Sequence, residues 1–309
     1  MAISHYLKEI GRGARGAKAL SREQAADLFG QVLDGQVTDL EIGAFCIAMR
    51  IKGETAEEMC GFLDAVHARI ARVSGGAPGC PVIVLPSYNG ARKLPVLTPL
   101  LALLLAREGL PVLLHGMRTE ARRILASDVL EALGVPALDA PQAIAPGQVA
   151  HLRTELLHAG LARLLAVREV VGLRNPGHSV TKLLNPCAGP ALVVTSFTHP
   201  EYFDMLCNTF TTLRLNALLS RGLEGEVAAD PRRTPRYDAF LQGTHRVVQE
   251  QQPGTAADVP GLPTEIDVQT TAAYTRRVLD GDLPVPPALA RQVEHILQLS
   301  TQTTAETTP

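Results

Sequence analysis

The sequence predicts an α/β protein in which a small, all-helical N-terminal domain precedes a larger domain with a mainly parallel central sheet. Helical capping boxes follow one another up to residue 73, the Gly/Pro-rich segment 74–81 interrupts them, and short apolar segments then alternate with helical ones. Aromatic residues make up only 4% of the chain, and Ala, Leu and Val dominate the apolar set, which favours helices and parallel strands. We therefore place the helical domain at 1–75 and the α/β domain at 76–309, with helices from about 160–185 packing on the former.

Residues 1–22 are interpreted as a basic, flexible arm. The segment has five cations, one acid and three glycines. Its cations Arg12, Arg15 and Lys18 are candidates for contact with phosphate groups, although an isolated basic cluster more often belongs to a solvated connection between helices. Three capping boxes then predict the starts of three helices: Ser21 with Gln24, Thr38 with Glu41, and Thr55 with Glu58.

Strands and helices are expected to alternate after the Gly/Pro-rich segment. Two short apolar segments at 81–85 and 110–116 flank a helix that is apolar all round and therefore buried, and such a βαβ unit implies parallel strands. Further strands are expected at 190–197 and 213–220. Helices are expected in the segments 118–134, 152–173, 176–186, 199–213, 274–279 and 289–297, before a frayed tail at 300–309.

The composition excludes several classes of protein. The net charge of −2 excludes a polycation, although an average hides local patches. The five cysteines lack the spacing of metal sites and are interpreted as buried thiols of a reducing compartment. The N-terminus has no apolar leader pattern, and the apolar run at 97–106 is too short to span a bilayer. We expect a soluble, cytoplasmic protein with no membrane partner.

Three loops are expected to meet at the carboxyl edge of the sheet, at 87–93, 115–123 and 221–226. Ligands of open α/β sheets bind at this edge, and a following helix N-terminus favours phosphate there. Six cations and two acids lie between residues 92 and 123, and guanidinium groups match phosphate oxygens in bidentate fashion. The sequence therefore predicts a site for a phosphorylated ligand.

The cations of this predicted rim come from two of the loops. Arg118 and Arg122 are expected to lie one helical turn apart on a common face, with Arg123 offset. Arg92 and Lys93 belong to the first loop. The alternative is a rim whose cations pair with local acids and bind nothing.

Catalytic signals are weak. Glu224 and Glu226 are candidate magnesium ligands, although two carboxylates in a loop are more often solvated. The sequence has no P-loop and no GxGxxG motif, and no Ser/His/Asp arrangement can be defended from spacing. No catalytic residue is assigned.

Two segments resemble the anthranilate phosphoribosyltransferase family, which has the glycosyltransferase family 3 fold. HGMRTEARRILASDVLEALGV resembles the family's KHGNRS motif and the ADVLEALG helix that follows it. GLRNPGHSVTKLLNP resembles the family's GVRTxxNLLGPxxNP motif, with matches at Arg174, Asn185 and Pro186. The resemblance implies the family's architecture over nearly the whole length, in which a small helical domain is followed by a nucleoside phosphorylase/phosphoribosyltransferase-like α/β domain.

The departures from the family motifs fall on residues that bind phosphoribosyl pyrophosphate in the family. The GTGGD loop, whose glycine amides close around a pyrophosphate, is replaced by SYNGARK. The lysine and asparagine of KHGNRS are lost, whereas Arg118 and a basic residue at Arg123 remain. Lys182 lies in place of part of a compact Gly-Pro turn, and Glu224 and Glu226 lie in place of an Asp-Glu magnesium pair.

These departures resemble a divergent, YbiB-type branch of the family. The resemblance implies a homodimer formed through the helical domain that binds single- or double-stranded DNA or RNA by its phosphates, largely without sequence preference, with weak or no catalysis and no cofactor. The expected phosphate-binding residues are Arg118, Arg122, Arg123, Arg92, Lys93, Lys182, Arg174, Arg12, Arg15 and Lys18.

Two alternatives stay open. The first is a phosphoribosyl or other glycosyl transferase that uses phosphoribosyl pyrophosphate and magnesium, with the metal held by Glu224 and Glu226. The second is a structural dimer whose basic rim serves only subunit contacts.

Overall fold

The N-terminal part of the chain is a bundle of four helices. The computed structural model describes residues 3–13, 15–256 and 258–303. All three predicted capping boxes are confirmed. In each, the hydroxyl of the N-cap residue accepts from the backbone N–H of the residue three positions later, and the side chain of that later residue accepts from the backbone N–H of the N-cap residue. The helices are α1 (Ser4–Ile10), α2 (Arg22–Leu33), α3 (Asp39–Lys52) and α4 (Ala56–His67).

The core of the bundle is aromatic. Phe29, Phe45 and Phe62 come from α2, α3 and α4, are fully buried, and have ring centroids 4.7 to 6.3 Å apart. Helices α2 and α4 pack so closely that a Cβ on Gly61 would lie 2.2 Å from the carbonyl oxygen of Arg22. Only glycine fits this helical position without moving the two helices apart.

The prediction of a flexible arm at 1–22 is wrong for the residues of that segment that the structure describes. Part of the arm is the helix α1, and the side chains of Ile3, Ile10 and Leu20 are buried in the core of the bundle. The prediction relied on charge and glycine content, whereas three apolar side chains anchor the segment to the bundle. Ala14 lies outside the described residues.

The rest of the chain is an α/β domain around a seven-stranded sheet in the order β3-β2-β1-β4-β5-β6-β7. The strands are β1 (Val82–Pro86), β2 (Val112–Gly116), β3 (Val149–Arg153), β4 (Ala191–Phe197), β5 (Ala217–Arg221), β6 (Tyr237–Leu241) and β7 (Thr244–Gln249). The helices are α5 (Thr98–Arg107), α6 (Ala126–Ala132), α7 (Thr154–Leu157), α8 (Ala159–Val171), α9 (Pro176–Leu183), α10 (Phe203–Thr212), α11 (Val268–Asp280) and α12 (Pro287–Ser300).

The mainly parallel sheet is confirmed. Strands β1 to β5 pair in parallel, and β6 and β7 add an antiparallel hairpin at one edge. The sequence did not predict β3, β6 or β7, because these strands lack the continuous apolar run of β1 and β2, and most residues of β7 are exposed. The predicted frayed tail begins with the last residue of α12, and its residues 304–309 lie outside the described part of the chain.

Helices α8 and α9 connect the two parts of the molecule. α8 packs against α2 and α3, and α9 packs against α3 and α4. The approach is close, since a Cβ on Gly160 at the start of α8 would lie 1.9 Å from the carbonyl oxygen of Leu33. None of the described helices combines the length and the apolar character needed to cross a bilayer.

We expect Glu58→Ala to lower the free energy of unfolding by roughly 3–5 kcal/mol, because the substitution leaves a nearly buried ammonium group unpaired. The fully buried carboxylate of Glu58 is 2.6 Å from Nζ of Lys52 and accepts from the backbone N–H groups of Leu20 and Thr55. Urea unfolding measures the change. The matched control is Gln24→Ala, which removes the equivalent but exposed member of the α2 capping box and should cost about 1 kcal/mol or less; equal losses would contradict the prediction.

Candidate functional site

The candidate site lies where the strand order changes direction. From β1 the chain proceeds to β2 and β3 on one side and returns to β4 on the other side of β1. Ligands of open α/β sheets bind in the crevice beyond the carboxyl ends of the strands at such a switch point. The loops that follow β1, β2, β4 and β5 all lie at this edge, which is the edge that the sequence predicted.

A cavity of about 810 Å³ opens at this edge, and nine cations but only four carboxylates line it. The excess of positive charge favours an anionic ligand. Five of the lining cations were predicted from the sequence, namely Arg92, Lys93, Arg123, Arg174 and Lys182. Four were missed, namely Arg50, Arg168, Arg221 and Arg233. The predicted cations Arg118, Arg122, Arg12, Arg15 and Lys18 are not among the lining residues.

The loop after β1 is anchored by the buried carboxylate of Glu226. One carboxylate oxygen accepts from the backbone N–H of Gly90 at 2.8 Å, and the other accepts from the hydroxyls of Ser87 and Thr98, both at 2.8 Å. Gly90 has a φ of +65°, which favours glycine, and a Cβ there would lie 2.7 Å from the carbonyl oxygen of Ile124. The loop after β5 therefore fixes the conformation of the loop after β1.

The second glutamate of the β5 loop, Glu224, binds the same neighbouring loop. Its Oε2 accepts from the consecutive backbone N–H groups of Arg92 and Lys93 at 3.0 and 2.9 Å. Its Oε1 lies 3.3 Å from the guanidinium of Arg123 and 3.4 Å from that of Arg92. Two adjacent amides and two guanidinium groups are a donor set suited to a phosphate. In this structure the carboxylate of Glu224 occupies it.

The two glutamates do not fit a magnesium ion in this arrangement. Both oxygens of Glu224 and both oxygens of Glu226 already accept from N–H or O–H donors of the chain. Magnesium needs several oxygen ligands that face one point. No group of three or more His, Cys, Asp or Glu side chains suited to a metal occurs among the described residues.

The three arginines after β2 differ in their surroundings. Arg123 is 7% exposed and binds Glu120 at 2.8 Å, Glu224 and the carbonyl oxygen of Gly90. It holds loops together and is not part of an open rim. Arg118 is exposed, and its guanidinium binds the carboxylate of Asp128 at 2.6 Å.

The prediction that Arg118 and Arg122 share a helical face is wrong. The segment 117–125 is not helical, and α6 begins only at Ala126. Residue 124 instead pairs with Ala91 of the loop after β1, and this long-range pairing overrides the local helical pattern. Arg122 is exposed, and its side chain has no hydrogen-bond partner within the described part of the chain.

The inner wall of the cavity is formed by three cations from α8, α9 and the turn between them. Arg168 binds Glu120 at 2.6 Å, and Arg174 binds the side-chain oxygen of Asn89. Burial lowers the pKa of Arg174 from its ordinary value. Burial and, to a smaller extent, the charge of Arg174 lower the pKa of Lys182 to about 8.

The N-terminal cations are partly engaged elsewhere. Arg12 lies 3.0 Å from the carboxylate of Glu9, and Nζ of Lys18 lies 3.9 Å from the same carboxylate. Both pairs are exposed, so they contribute little to stability. Arg15 is exposed.

Sequence reasoning missed Arg50, Arg168, Arg221 and Arg233 because they come from four separate segments. Arg221 ends β5 and carries a positional signal, since it lies at the carboxyl end of a parallel strand. The other three come from α3, α8 and the loop after β5. Only the fold brings these segments to one cavity.

The protein is of a phosphoribosyltransferase-like class. This class is defined by a helical bundle joined to an α/β domain, with a crevice that attracts anions at the carboxyl edge of a mainly parallel sheet. Residues 4–69 match the helical bundle domain of the glycosyl transferase family. The chain is 35% identical over 285 residues to the anthranilate phosphoribosyltransferase of Methylobacterium nodulans, covering 89% of this chain and 82% of that protein. The chain therefore belongs to the anthranilate phosphoribosyltransferase-like family of glycosyl transferases.

Within this family the chain is also similar to YbiB, an uncharacterized protein of Escherichia coli (strain K12). The two are 39% identical over 298 residues, which is 95% of this chain and 92% of YbiB. Among solved structures, anthranilate phosphoribosyltransferase from Thermus thermophilus has a TM-score of 0.73 at 22% identity, covering 96% of this chain and 88% of that one. The Saccharomyces cerevisiae enzyme in complex with PRPP and Mg has a TM-score of 0.70 at 13% identity, covering 97% and 89%. These two likenesses show the fold.

We expect the stability of the protein to fall as the pH is lowered from about 6.5 towards 4. Burial lowers the pKa of His115 to about 4 and that of His178 to about 3, from an ordinary value of 6.5. Between these values the unfolded chain binds protons that the folded chain does not, so acid favours unfolding, and this stability is fully present above pH 6.5. Urea unfolding at pH 7.5, 5.5 and 4.5 measures the slope.

The matched variant for the pH prediction is His115→Gln, whose amide nitrogen has a reach similar to that of Nε2 of the ring and can donate to the carbonyl oxygen of Leu184. Its stability should depend less on pH in this window. The control for the loss of a histidine is the exposed His199→Gln. A wild-type slope of zero between pH 6.5 and 4.5, or an unchanged slope in His115→Gln, would contradict the assignment.

Proposed function

We propose that the protein is a cytoplasmic, homodimeric nucleic-acid-binding protein that contacts phosphates largely without sequence preference and does not catalyse phosphoribosyl transfer. The observation that carries the proposal is the contact between Glu224 and the loop after β1. The donors that suit a small phosphate ligand are occupied by a carboxylate of the chain itself, whereas long cations at the mouth of the cavity are exposed.

The exposed cations at the mouth of the cavity are the candidates for phosphate contact. Arg50, Lys93, Arg221 and Arg233 line the cavity, are exposed, and have no carboxylate within 4.0 Å in the part of the chain that the structure describes. Exposed guanidinium and ammonium groups bind a backbone phosphate by displacing counterions and without reading a base. Arg92 adds a fifth, 58% exposed cation that is only loosely paired with Glu224.

Four other predicted cations contribute less under this proposal. Arg122 is exposed and available, whereas Arg118 would have to leave Asp128. Arg123 and Arg174 are engaged with other loops of the chain. We assign these two the role of positioning the loops that carry the exposed cations.

The homodimer is supported by an apolar surface on the helical bundle. Leu40, Ile47 and Ile51 of α3 are 84%, 36% and 62% exposed, and their spacing places them on one helical face. Val170 at the end of α8 and Leu173 just beyond it are 89% and 43% exposed, and α8 packs beside α3. Exposed apolar clusters of this kind mark protein contacts. A second copy of the same surface is the occupant that we propose, in a two-fold symmetric contact.

The affinity of the protein for a labelled single strand or duplex of about 30 nucleotides should fall steeply with salt. We expect a slope of log K against log salt of about −3 to −5, since each neutralised phosphate contributes about −0.9. The triple variant Lys93→Glu, Arg221→Glu and Arg233→Glu should bind at least tenfold more weakly than wild type. Gel shift or fluorescence anisotropy at two salt concentrations measures both effects.

The matched control changes the net charge equally but away from the cavity: Arg246→Glu, Arg277→Glu and Arg291→Glu, all exposed and none lining the cavity. This control should bind within about threefold of wild type. An equal loss of affinity in both triple variants would show that binding depends only on net charge and not on the cavity. Binding that does not depend on salt, or no binding at all, would reject the proposed function.

The oligomeric state can be tested with the double variant Ile47→Glu and Ile51→Glu, which places charges on the exposed face of α3. This variant should be a monomer where the wild type is a dimer. The bundle should stay folded, because neither residue belongs to the buried core. Light scattering coupled to size exclusion measures the mass, and circular dichroism checks the fold. Val247→Glu, a 40% exposed position on β7, is the control and should stay dimeric. A monomeric wild-type protein would contradict the proposed dimer.

A transferase is the second candidate function, and family membership is the observation that favours it. The mechanism would be displacement of magnesium-bound pyrophosphate, and it would require Glu224 and Glu226 to leave their present donors. Calorimetry with phosphoribosyl pyrophosphate and magnesium tests it. We expect no heat of binding for the wild-type protein; saturable binding together with pyrophosphate release would favour the transferase over the proposed function.

A further inference from the structure

Lys182 is an amine in the cavity wall without an acidic partner. Its Nζ donates to the main-chain carbonyl oxygen of Ser196 at 2.8 Å. Within the described residues no carboxylate lies within the 4.0 Å of an ion pair. Burial and the nearby charge of Arg174 disfavour the ammonium form and outweigh the opposite effect of the Glu226 carboxylate. With its pKa lowered to about 8, roughly a quarter of Lys182 is a neutral amine at pH 7.5. A neutral amine is a nucleophile.

Lys182 differs in this respect from the other lysines of the chain. The chain has five lysines. Lys52 is paired with Glu58 at 2.6 Å, and Lys18 lies 3.9 Å from Glu9. Lys8 and Lys93 are exposed, and only Lys93 of these two lines the same cavity. Lys182 alone combines a half-buried position in the cavity wall with a purely neutral hydrogen-bond acceptor.

Two buried polar atoms without partners line the same cavity. Ser196 is 1% exposed and its Oγ has no hydrogen-bond partner within the described chain. His178 is 2% exposed, its Nδ1 lies 3.2 Å from both the backbone nitrogen and the side-chain Oδ1 of Asn175, and its Nε2 has no hydrogen-bond partner within the described chain. Buried polar groups are normally hydrogen-bonded, so two unpartnered groups in one cavity wall point to a bound ligand with oxygen atoms.

We propose that Lys182 forms an imine with the aldehyde carbon of a phosphorylated aldehyde bound in this cavity. The lining of the cavity has nine cations and four carboxylates, and this excess of positive charge favours the phosphate. Ser196 and His178 are available to hydrogen-bond the aldehyde or sugar hydroxyl oxygens.

The step is balanced without an oxidant or reductant. The lone pair of the Lys182 amine forms a C–N bond to the aldehyde carbon, and the carbonyl oxygen takes a proton to give a carbinolamine. The C–O bond then breaks, the oxygen leaves as water with the protons lost by the amine, and a C=N bond remains. Hydrolysis reverses the reaction.

The aldehyde has two possible sources with the same chemistry. A free sugar phosphate in its open-chain form needs only the cavity, and this source is independent of the proposed function. The ring-opened sugar of an abasic nucleotide carries the same aldehyde beside backbone phosphates, and this source rests on the proposed binding of nucleic acid.

The primary test uses pyridoxal 5′-phosphate as the probe, with cyanoborohydride to fix the imine and peptide mass spectrometry to locate it. The adduct should map to Lys182, and its rate of formation should rise to half its maximum near pH 8. Pyridoxal, which lacks the phosphate, should react at least tenfold more slowly. The variant Lys182→Arg keeps the charge and should lose more than 90% of the adduct, whereas the matched Lys8→Arg, at an exposed lysine that does not line the cavity, should label like wild type.

The fold of Lys182→Arg is checked by its thermal midpoint, so that a lost adduct is not mistaken for unfolding. Labelling spread evenly over the lysines, a rate that does not level off until well above pH 8, or an unchanged rate in Lys182→Arg would overturn the proposal. Equal reactivity of pyridoxal and its phosphate would also overturn it.

A second experiment distinguishes the two sources. Deoxyribose 5-phosphate and an oligonucleotide with one abasic site are trapped separately under the same conditions, and an undamaged oligonucleotide is tested for binding by gel shift. Faster trapping of the sugar phosphate supports the free source, and faster trapping of the abasic strand supports the nucleic-acid source. If neither is trapped at Lys182, the proposal is overturned even where the undamaged strand binds, which leaves the proposed function intact. If the undamaged strand does not bind, the proposed function fails. Trapping of the sugar phosphate at Lys182 then still tests whether the imine forms.

Discussion

The contact between the loop after β5 and the loop after β1 determines what the candidate site can bind. Glu224 and Glu226 place four carboxylate oxygens on the amides, hydroxyls and guanidinium groups of the neighbouring loop. Glu224 does so with a φ of +56°, a backbone conformation that is unfavourable for a side chain with a Cβ. Such a conformation persists only where surrounding contacts over-determine it, and the donors bound by Glu224 meet that condition.

The chain keeps the fold of the family, but this contact changes which groups of the site are available to a ligand. The sheet, the switch point and the positively charged crevice are those of a phosphoribosyltransferase-like protein, but the donors suited to a small phosphate ligand and the acids suited to a metal bind each other. Fold alone does not specify a function, because the reactive groups depend on a few loop residues that can change while the core is kept. Within the described part of the chain, the exposed lining cations without a carboxylate within 4.0 Å are Arg50, Lys93, Arg221 and Arg233.

The helical bundle contributes to the site as well as to the core. Arg50 of α3 reaches the mouth of the cavity, and Ile51 beside it belongs to the exposed apolar face of the same helix. A dimer formed on that face would therefore bring two cavity mouths close to one interface. On the inner wall, the half-buried Lys182 belongs to α9, which packs on the bundle, so the environment of its amine also depends on the packing of the two domains.

Features that depend on near neighbours along the chain can be predicted from the sequence. Capping boxes at Ser21, Thr38 and Thr55 specify helix starts through contacts three residues apart, and continuous apolar runs specify the buried parallel strands. The tertiary structure alone decided which charges are free, because ion pairs such as Arg123 with Glu224 join residues 101 positions apart. For the same reason it decided that the segment 117–125 pairs with another loop and forms no helix, that β6 and β7 extend the sheet, and that Lys182 has no acidic partner among the residues that the structure describes. These features depend on burial and on pairing between distant residues, and neither can be predicted from the order of residue types along the chain.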